Sequence, residues 1–339
     1  MRIAIDAMGG ELGVQATILG VHYALQGLKD PSLRFLVFGR KTEILPLSNQ
    51  YCLNDVIDIV DVEDVVLDTD HPFKIFQMGN NTSMGRALLA VQEGLADGVV
   101  SSGSTSGYVT LAHKIFGLMP HVLKIALPAI IPSQKGQSLL LDVGASITAT
   151  ENDLVQFAIM GSLLYTAQFG GEAPPVGLLN IGTEDIKGPP FIKKANALLK
   201  SEPLVNYKGF VEGTDLFKGE VNIIVTDGYA GNIALKAVEG IALFIGDTIK
   251  EALGGSLWRK LGSLGAIAGL RQVKQKIDKR RYNGVVLLGL NHLAVKSHGS
   301  ADAQAFSCAI GVAHKVIKHE LINKVRVAFE KMQAEHSSS

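Results

Sequence analysis

One short segment of the 339-residue chain places two carboxylates, a hydroxyl and an ammonium group between two glycines. It ends the apolar run at 176–181 and reads Ile181-Gly182-Thr183-Glu184-Asp185-Ile186-Lys187-Gly188. In parallel α/β sheets, ligands collect at the carboxyl ends of the strands, where loops and helix N-termini converge. So many functional groups at such a position favour a binding or catalytic site over a solvated turn.

Three further strand ends place glycines and small polar residues directly before a helical segment. They read Gly103-Ser104-Thr105-Ser106-Gly107, Asp142-Val143-Gly144-Ala145-Ser146 and Thr226-Asp227-Gly228-Tyr229-Ala230-Gly231-Asn232. The backbone N–H groups of such loops can bind an anion, although a tight capped turn also explains any one loop taken alone. Three of them in one chain favour an anion site, and the helix after the third loop is expected from Ile233.

The first apolar run leads into another glycine-bearing turn, Asp6-Ala7-Met8-Gly9-Gly10. This turn is not the dinucleotide fingerprint, because G-x-G-x-x-G is absent there. The next apolar run, 33–38, leads into Gly39-Arg40 and not into an acidic residue that would bind a ribose. We therefore expect no nicotinamide cofactor.

Two histidines, His292 and His298, follow the last apolar run and are candidates for acid–base work. For His298, the better candidate, a hydrogen bond that fixes its own loop is the alternative interpretation. No pair of histidines has metal-ligand spacing with a third ligand close by, and no G-x-S-x-G elbow marks a nucleophilic serine. We expect no metal and no cofactor, with catalysis by positioning and charge stabilisation.

Short apolar or β-branched runs alternate with segments of helical period, which is the β-α-β rhythm of a parallel sheet. The runs are 2–5, 33–38, 56–60, 99–101, 139–141, 176–181, 221–225 and 285–288. They are continuously apolar, as strands covered by helices on both faces require. The sequence therefore predicts a layered α/β/α fold with a largely parallel sheet. Within it, Thr150 and Asp153 resemble a capping box that opens a helix over 151–168, ending at Gly170.

The composition indicates a globular protein without the charge that nucleic-acid binding requires. The chain is 47% hydrophobic and 19% charged, and its 32 lysines and arginines balance 32 aspartates and glutamates. Two distant cysteines, no secretory signal and no uncharged run of membrane length favour a cytoplasmic location. We expect one catalytic domain over 1–334, with a helical excursion at about 246–282 and a disordered tail at 335–339.

Seven strings, spread in order over nearly the whole chain, resemble the acyl carrier protein:phosphate acyltransferases of bacterial phospholipid synthesis. They are IDAMGG, LLLDVGA, VGLLNIGTEDIKG, GFVEG, TDGYAGNIALK, LLGLN and VKSHGSADA. The resemblance implies a fold related to phosphotransacetylases and isopropylmalate-type dehydrogenases. It also implies a homodimer and an acyl phosphate product that feeds a membrane acyltransferase.

On this resemblance, inorganic phosphate attacks the thioester of acyl carrier protein directly. Lys187 would hold the phosphate, helped by backbone N–H groups of 103–107 and 144–146, and Asn232 would donate to the developing oxyanion. A helix N-cap is the other role open to Asn232. The predicted catalytic residues are Lys187, Asn232 and His298, and the predicted phosphate- and substrate-binding residues are Asp6, Gly9, Gly10, Gly103, Ser104, Thr105, Gly144, Ser146, Thr183, Glu184, Asp227, Gly228 and Gly231.

Among the positions where the chain departs from the family pattern, two lie in the glycine loops at 103–107 and 142–146. Ser104 lies in a GSTSG string where the family has GNTGA, and Ser146 ends a GAS string where the family has GAN. Two amides thus become hydroxyls of shorter reach. These changes leave open a catalytically silent homologue that binds carrier protein or membrane. A coenzyme A-dependent phosphotransacetylase and a dehydrogenase of similar fold are the rival enzymes.

Residues 250–281 form a local basic patch with apolar residues at helical spacing. A helical hairpin that packs on the core or forms a dimer is one interpretation, but five glycines weaken a buried helix there. A basic frame around a tryptophan and leucine face also suits anionic lipid or an acidic carrier protein. We therefore expect a reversible membrane contact that also serves the carrier protein. Its residues are Leu257, Trp258, Arg259, Lys260, Leu261, Leu264, Arg271 and Lys274.

Overall fold

The strands form two β-sheets in the computed structural model, which describes residues 1–67, 69–254 and 278–337. The first sheet consists of β1 (Arg2–Asp6), β2 (Arg34–Gly39), β3 (Ile57–Asp61), β4 (Gly98–Ser101), β10 (Val285–Val286) and β11 (Ala294–Lys296). Its order is β10-β11-β4-β1-β2-β3. All neighbours are parallel except β10, which is antiparallel to β11.

The second sheet consists of β5 (Pro128–Ser133), β6 (Gly136–Leu141), β7 (Val176–Leu179), β8 (Tyr207–Val211) and β9 (Ile223–Val225). Its order is β5-β6-β9-β7-β8, and only β5 is antiparallel to its neighbour. Each of the eight apolar runs predicted as strands overlaps one strand of the two sheets. The predicted α/β fold with mostly parallel pairing is confirmed, but its strands divide between two sheets.

Helices connect the strands, as the predicted β-α-β rhythm requires. They are α1 (Gly13–Leu28), α2 (Lys41–Gln50), α3 (Pro72–Met78), α4 (Ser83–Gln92), α5 (Thr105–Phe116), α6 (Glu151–Phe169), α7 (Pro190–Ser201), α8 (Gly228–Gly254), α9 (Ala303–Lys318) and α10 (Leu321–Ser337). The predicted capping box is present, because Thr150 and Asp153 exchange side-chain-to-backbone hydrogen bonds before α6, and Gly170 ends that helix.

One buried apolar cluster contains residues of both sheets. It includes Ile5 of β1, Leu141 of β6 and Val225 of β9, together with residues of α1, α6, α9 and α10. A second cluster covers the other face of the first sheet with α4 and α5, and a third covers the other face of the second sheet. Because both sheets share the first cluster, their strand ends are held in a fixed relation by apolar packing.

The sequence-based expectations for the C-terminal tail and for the excursion at 246–282 compare with the structure as follows. Helix α10 ends at Ser337, where the sequence predicts a disordered tail from residue 335. The first part of the expected excursion, 246–254, belongs to α8. The predicted membrane and carrier-protein residues, from Leu257 to Lys274, lie outside the described residues. Within the described ranges, no helix has the length and apolar character needed to cross a bilayer.

Candidate functional site

Three loops leave the second sheet at the same edge. Strands β6 and β7 lie on either side of β9 and run parallel to it. Neighbouring strands are about 4.8 Å apart, so the carboxyl ends of β6 and β7 are separated by only about 10 Å. The loops are 142–146 after β6, 226–232 after β9 and 180–188 after β7. The structure thus brings together three of the loops that the sequence predicts as site loops.

The Asp142 carboxylate organises the 142–146 loop. It is fully buried and accepts hydrogen bonds from the backbone N–H groups of Leu127 (2.9 Å), Gly144 (3.2 Å), Ala145 (3.1 Å) and Ser146 (2.7 Å). Burial raises the pKa of Asp142, and the backbone donors oppose that rise. Sequence reasoning assigned this aspartate no role, although its position directly after a buried strand was the available signal.

These hydrogen bonds change the expected role of the loop. The N–H groups of 144–146 donate to Asp142, so a phosphate ion would have to compete with this carboxylate for them. The Ser146 hydroxyl also serves the loop, since it donates to the Ile125 carbonyl oxygen at 3.1 Å.

Helix α8 begins directly against the 142–146 loop because two glycines allow backbone contact. A Cβ atom at Gly228 would lie 2.3 Å from the Ser146 carbonyl oxygen, and one at Gly231 would lie 1.9 Å from the Asp142 carbonyl oxygen. The Gly228 N–H donates to the same Ser146 oxygen at 3.0 Å. Both glycines are predicted to bind substrate, and in the structure they allow the backbone of α8 to approach the 142–146 loop closely.

Asp227 is the N-cap of α8, so the N-cap role that was the alternative for Asn232 is taken by another residue. Its Oδ1 atom accepts hydrogen bonds from the N–H groups of Tyr229 (3.0 Å) and Ala230 (2.9 Å), the arrangement of an N-cap. The helix therefore starts at Gly228 instead of the expected Ile233, and Asn232 is not its cap. The Asn232 side chain is exposed, and its Nδ2 atom lies 3.5 Å from the position that a Cβ at Gly144 would take. Its amide therefore stands at the surface of the 142–146 loop.

Lys187 is a protonated cation at the same edge. Its Nζ atom forms an ion pair with Glu184 Oε1 at 2.8 Å, and both side chains are about half exposed. The hydrogen bond to Glu184 raises the pKa of Lys187 and lowers that of Glu184, and the charge of Glu212 favours the cation further. Thr183 is exposed in the same loop. An anionic ligand would therefore meet Lys187 in competition with Glu184.

Asn180 closes the 180–188 loop. Its Nδ2 atom donates to the carbonyl oxygens of Gly182 (3.0 Å) and Lys187 (3.2 Å), so the two ends of the turn are tied to one buried side chain. Asp185 accepts a hydrogen bond from Asn196 of α7 at 3.0 Å, which anchors the turn to that helix. The backbone that carries Lys187 is thus fixed at both ends.

A second group of predicted residues lies at the carboxyl edge of the first sheet. Asp6 is buried at the end of β1 and accepts hydrogen bonds from the hydroxyls of Ser83 (2.7 Å) and Ser101 (2.6 Å). A Cβ atom at Gly9 would lie 2.5 Å from the Gly103 nitrogen. The loops after the neighbouring strands β1 and β4 therefore touch backbone to backbone.

Lys296 adds a buried charge to this group, which sequence reasoning missed. It ends β11 with only 6% of its surface exposed, and its Nζ atom donates to the carbonyl oxygens of Ser102 (3.4 Å) and Ser297. Burial raises the pKa of Asp6, while the hydroxyl hydrogen bonds and the charge of Lys296 oppose the rise. Gly10 lies in the same group, since its Cβ would be 2.6 Å from the Ser102 hydroxyl. A lysine closing an apolar strand was the available signal.

The 103–107 segment forms the start of α5. Ser104 is the N-cap, and its Oγ atom accepts the Gly107 N–H at 3.5 Å; Thr105 is the first helical residue. The Gly103 N–H donates to the Ser101 hydroxyl at 3.1 Å. The N–H groups of Gly103 and Gly107 are thus engaged within the protein.

The two candidate histidines differ in their surroundings. His298 is exposed, and its Nδ1 atom accepts the Ser300 N–H at 3.2 Å and lies 2.9 Å from the Ser300 hydroxyl. The His292 ring packs against Phe116 with ring centroids 5.0 Å apart, and burial lowers the pKa of His292. The geometry of His298 matches the alternative in which its hydrogen bond fixes its own loop.

The predicted residues therefore form two groups, one at the carboxyl edge of each sheet. The 142–146 loop connects the two edges, because Val143 packs against the apolar clusters of both sheets and Ala145 packs against that of the first. Among the described residues, no three His, Cys, Asp or Glu side chains are arranged to hold a metal ion. The chemistry that this arrangement offers is charge stabilisation by a lysine and hydrogen bonding by an amide.

The α/β architecture is shared with solved phosphotransacetylases. It aligns with a phosphotransacetylase from Streptococcus pyogenes at a TM-score of 0.60 and 17% identity, covering 94% of each chain. A 4-hydroxythreonine-4-phosphate dehydrogenase from Klebsiella pneumoniae aligns at a TM-score of 0.54 and 11% identity, covering 94% of this chain and 99% of that one. Likeness at these identities shows the fold alone, and it agrees with the predicted fold class.

Sequence comparison identifies the family. Residues 1–324 match the family described as fatty acid synthesis protein. A phosphate acyltransferase from Paramagnetospirillum magneticum is 39% identical over 335 residues, which cover 98% of this chain and 95% of that protein. The chain belongs to this family, so the resemblance seen in its motifs is confirmed.

Proposed function

We propose that the chain is a phosphate acyltransferase that moves a fatty acyl group from acyl carrier protein to inorganic phosphate. The observation that carries the proposal is the placement of a lysine cation and an exposed amide on loops of the adjacent parallel strands β7 and β9. A transfer to phosphate needs a cation for the nucleophile and a donor for the oxyanion. Lys187 and Asn232 are the residues that we assign to these two roles.

The reaction requires no covalent enzyme intermediate. A phosphate oxygen attacks the thioester carbonyl carbon, a tetrahedral oxyanion forms, and the carbon–sulfur bond then breaks. The electron pair leaves with the carrier's thiolate, which takes up a proton from the medium. Phosphate displaces Glu184 from the Lys187 ammonium group, which then holds the phosphate. Asn232 donates a hydrogen bond to the oxyanion. A single such donor is worth roughly 100 to 1,000-fold in rate.

One assay tests the function and separates its rivals. The protein is incubated with an acyl carrier protein thioester, with and without phosphate, and acyl phosphate is measured. We expect product only with phosphate, and less with the matching coenzyme A thioester. Product formed with the coenzyme A thioester but not with the carrier protein thioester would favour a phosphotransacetylase. Tight binding of the carrier protein without turnover would favour a silent homologue.

We also propose that the protein is cytoplasmic and binds membranes peripherally through the basic and apolar residues between Leu257 and Lys274. These residues lie outside the described part of the chain, so the sequence is the support for this proposal. Replacing Trp258 and Leu261 with aspartate is expected to abolish sedimentation with anionic liposomes while solution turnover persists. Replacing the exposed Leu95 and Leu123 with aspartate is the matched control. Aggregation of the first variant would show that the segment is structural.

A homodimer is the assembly that we propose. Its support is the apolar surface that α8 exposes, at Ile241, Leu243, Phe244 and Ile245. Such a surface on a soluble chain marks an interaction site. Sedimentation velocity of the protein without liposomes reports the assembly, and a monomer over the working concentration range would contradict it.

A further inference from the structure

Five large apolar side chains are exposed on, or directly after, the three loops at the carboxyl edge of the second sheet. They are Ile147, Ile181, Ile186, Tyr229 and Ile233, with exposed fractions between 54% and 83%. Scattered apolar residues are normal on a protein surface. Five on or beside the loops of three adjacent strands lie at one edge of the sheet, and apolar exposure concentrated in this way is typical of a binding surface.

Each of these side chains lies close in sequence to a polar group of the candidate site. Ile147 follows Ser146, whose carbonyl oxygen accepts the Gly228 N–H at 3.0 Å, and Tyr229 follows Gly228. Apolar side chains therefore lie next to polar groups of the candidate site along both the 142–146 and the 226–232 loops.

The same interleaving occurs around the two proposed catalytic residues. Ile233 follows Asn232 on α8, and Ile186 precedes Lys187 in the 180–188 loop. Lys187 and Glu184 pair with each other at this edge, and both side chains are about half exposed. Both charged groups therefore stay in contact with water when an uncharged, extended apolar ligand lies beside them.

We propose that these five side chains bind the acyl chain of the substrate, and we call them the acyl rim. The inference rests on the function proposed above, because the thioester carbonyl must reach Lys187 and Asn232. The acyl chain extends from that carbonyl, so its first methylenes lie among side chains on the same three loops. The rim then contributes binding energy that grows with chain length, which makes it a determinant of specificity.

The test compares two substrates on the same carrier protein. The Michaelis constants for butyryl and palmitoyl thioesters are measured with the full chain, since carrier contacts cancel in their ratio. Each methylene that the rim removes fully from water lowers KM by about fourfold. Because the rim is open, we expect a partial effect, with KM at least about tenfold lower for the palmitoyl than for the butyryl thioester.

Two variants on different loops probe the rim. Ile186→Ser and Ile147→Ser are each expected to weaken the wild-type preference for the palmitoyl thioester by at least about fivefold, read as the ratio of the two Michaelis constants. Leu95→Ser is the matched control, because Leu95 is 51% exposed in the turn before β4, away from the carboxyl edges. Its ratio is expected to equal that of the wild type.

The outcomes separate this inference from the proposed function. Turnover of both thioesters with a ratio that neither variant changes would overturn the acyl rim and leave the function standing. Absence of acyl phosphate from both thioesters with the wild type would overturn both. A variant that changes the sedimentation coefficient but not the ratio would assign these side chains to an interface between copies of the chain, which also overturns the rim.

Discussion

Replacing Gly231 with alanine is expected to destabilise the protein, although alanine is the better helix former. Gly231 lies in the first turn of α8, and a Cβ atom there would be 1.9 Å from the Asp142 carbonyl oxygen. Real Cβ atoms keep at least 3.0 Å from such atoms, so the helix or the 142–146 loop must shift by about 1.1 Å. The obstacle is backbone, which no rotamer change can relieve.

The magnitude follows from two opposing effects. Alanine in place of glycine within a helix contributes about 1 kcal/mol. Overpacking of a close contact costs about 1–3 kcal/mol, and a backbone clash belongs at the upper end. We therefore expect Gly231→Ala to lower the free energy of unfolding by about 2 kcal/mol. Gly240 is the control on the same helix, because a Cβ there meets nothing within 4 Å. Gly240→Ala is expected to raise the free energy of unfolding by up to about 1 kcal/mol.

The two alanine variants should also differ in activity. Asn232 follows Gly231, so a shift of the helix start moves its amide away from the oxyanion. A misplacement of about 1 Å can cost about 100-fold in rate. Urea unfolding measures stability, and acyl phosphate formation measures turnover. If Gly231→Ala matches Gly240→Ala in both, the contact between α8 and the 142–146 loop does not position Asn232, and this reasoning is refuted.

Three further predictions concern Lys187, metals and Asp6. Lys187→Ala is expected to lower turnover at least about 100-fold with the fold intact, because phosphate loses its countercharge; wild-type rates in a folded variant would remove Lys187 from the mechanism. Chelators are expected to leave activity unchanged, and a loss that one divalent metal restores would reveal a missed site. Burial raises the pKa of Asp6 in the folded state. Above about pH 4, the pKa of a free aspartate, the ionised Asp6 carboxylate therefore lowers the free energy of unfolding, and protonation of Asp6 removes this loss. In urea unfolding, the stability of Asp6→Asn relative to the wild type should therefore rise with pH; a relative stability that is flat or falls would contradict this assignment.

The strands that the sequence predicted and those it missed differ in a physical way. The predicted strands are continuously apolar because helices cover both faces of their sheets. Strand β5 contains Pro128 and Pro132 and lies at a sheet edge, where proline is tolerated but obscures the pattern. Strand β8 lies at the other edge and contains Gly209, whose φ is +101°. Strand β11 ends in Lys296, a charged residue that interrupts the apolar pattern.

The candidate site was predictable to the extent that it follows strand ends. The loops of Lys187 and Asn232 could be placed because a parallel sheet collects such loops at one edge. The hydrogen-bond partners could not be placed, because they depend on contacts between distant residues. The Asp142 carboxylate accepts the N–H of Leu127 as well as those of its own loop, and Lys296 reaches the carbonyl oxygen of Ser102. The helix start at Gly228 was readable, since Asp227 is a favoured N-cap.

The geometry removes the basis for a catalytically silent homologue. That alternative rested on Ser104 and Ser146, where the family pattern has asparagine. Ser104 caps α5, a position where serine and asparagine are about equally favoured. The backbone N–H of Ser146 donates to Asp142 at 2.7 Å whatever its side chain, and its hydroxyl donates to a carbonyl oxygen of the protein. Both serines therefore maintain the structure of their loops. The two departures leave the Lys187 cation and the Asn232 amide in place, so they give no reason to expect a loss of catalysis.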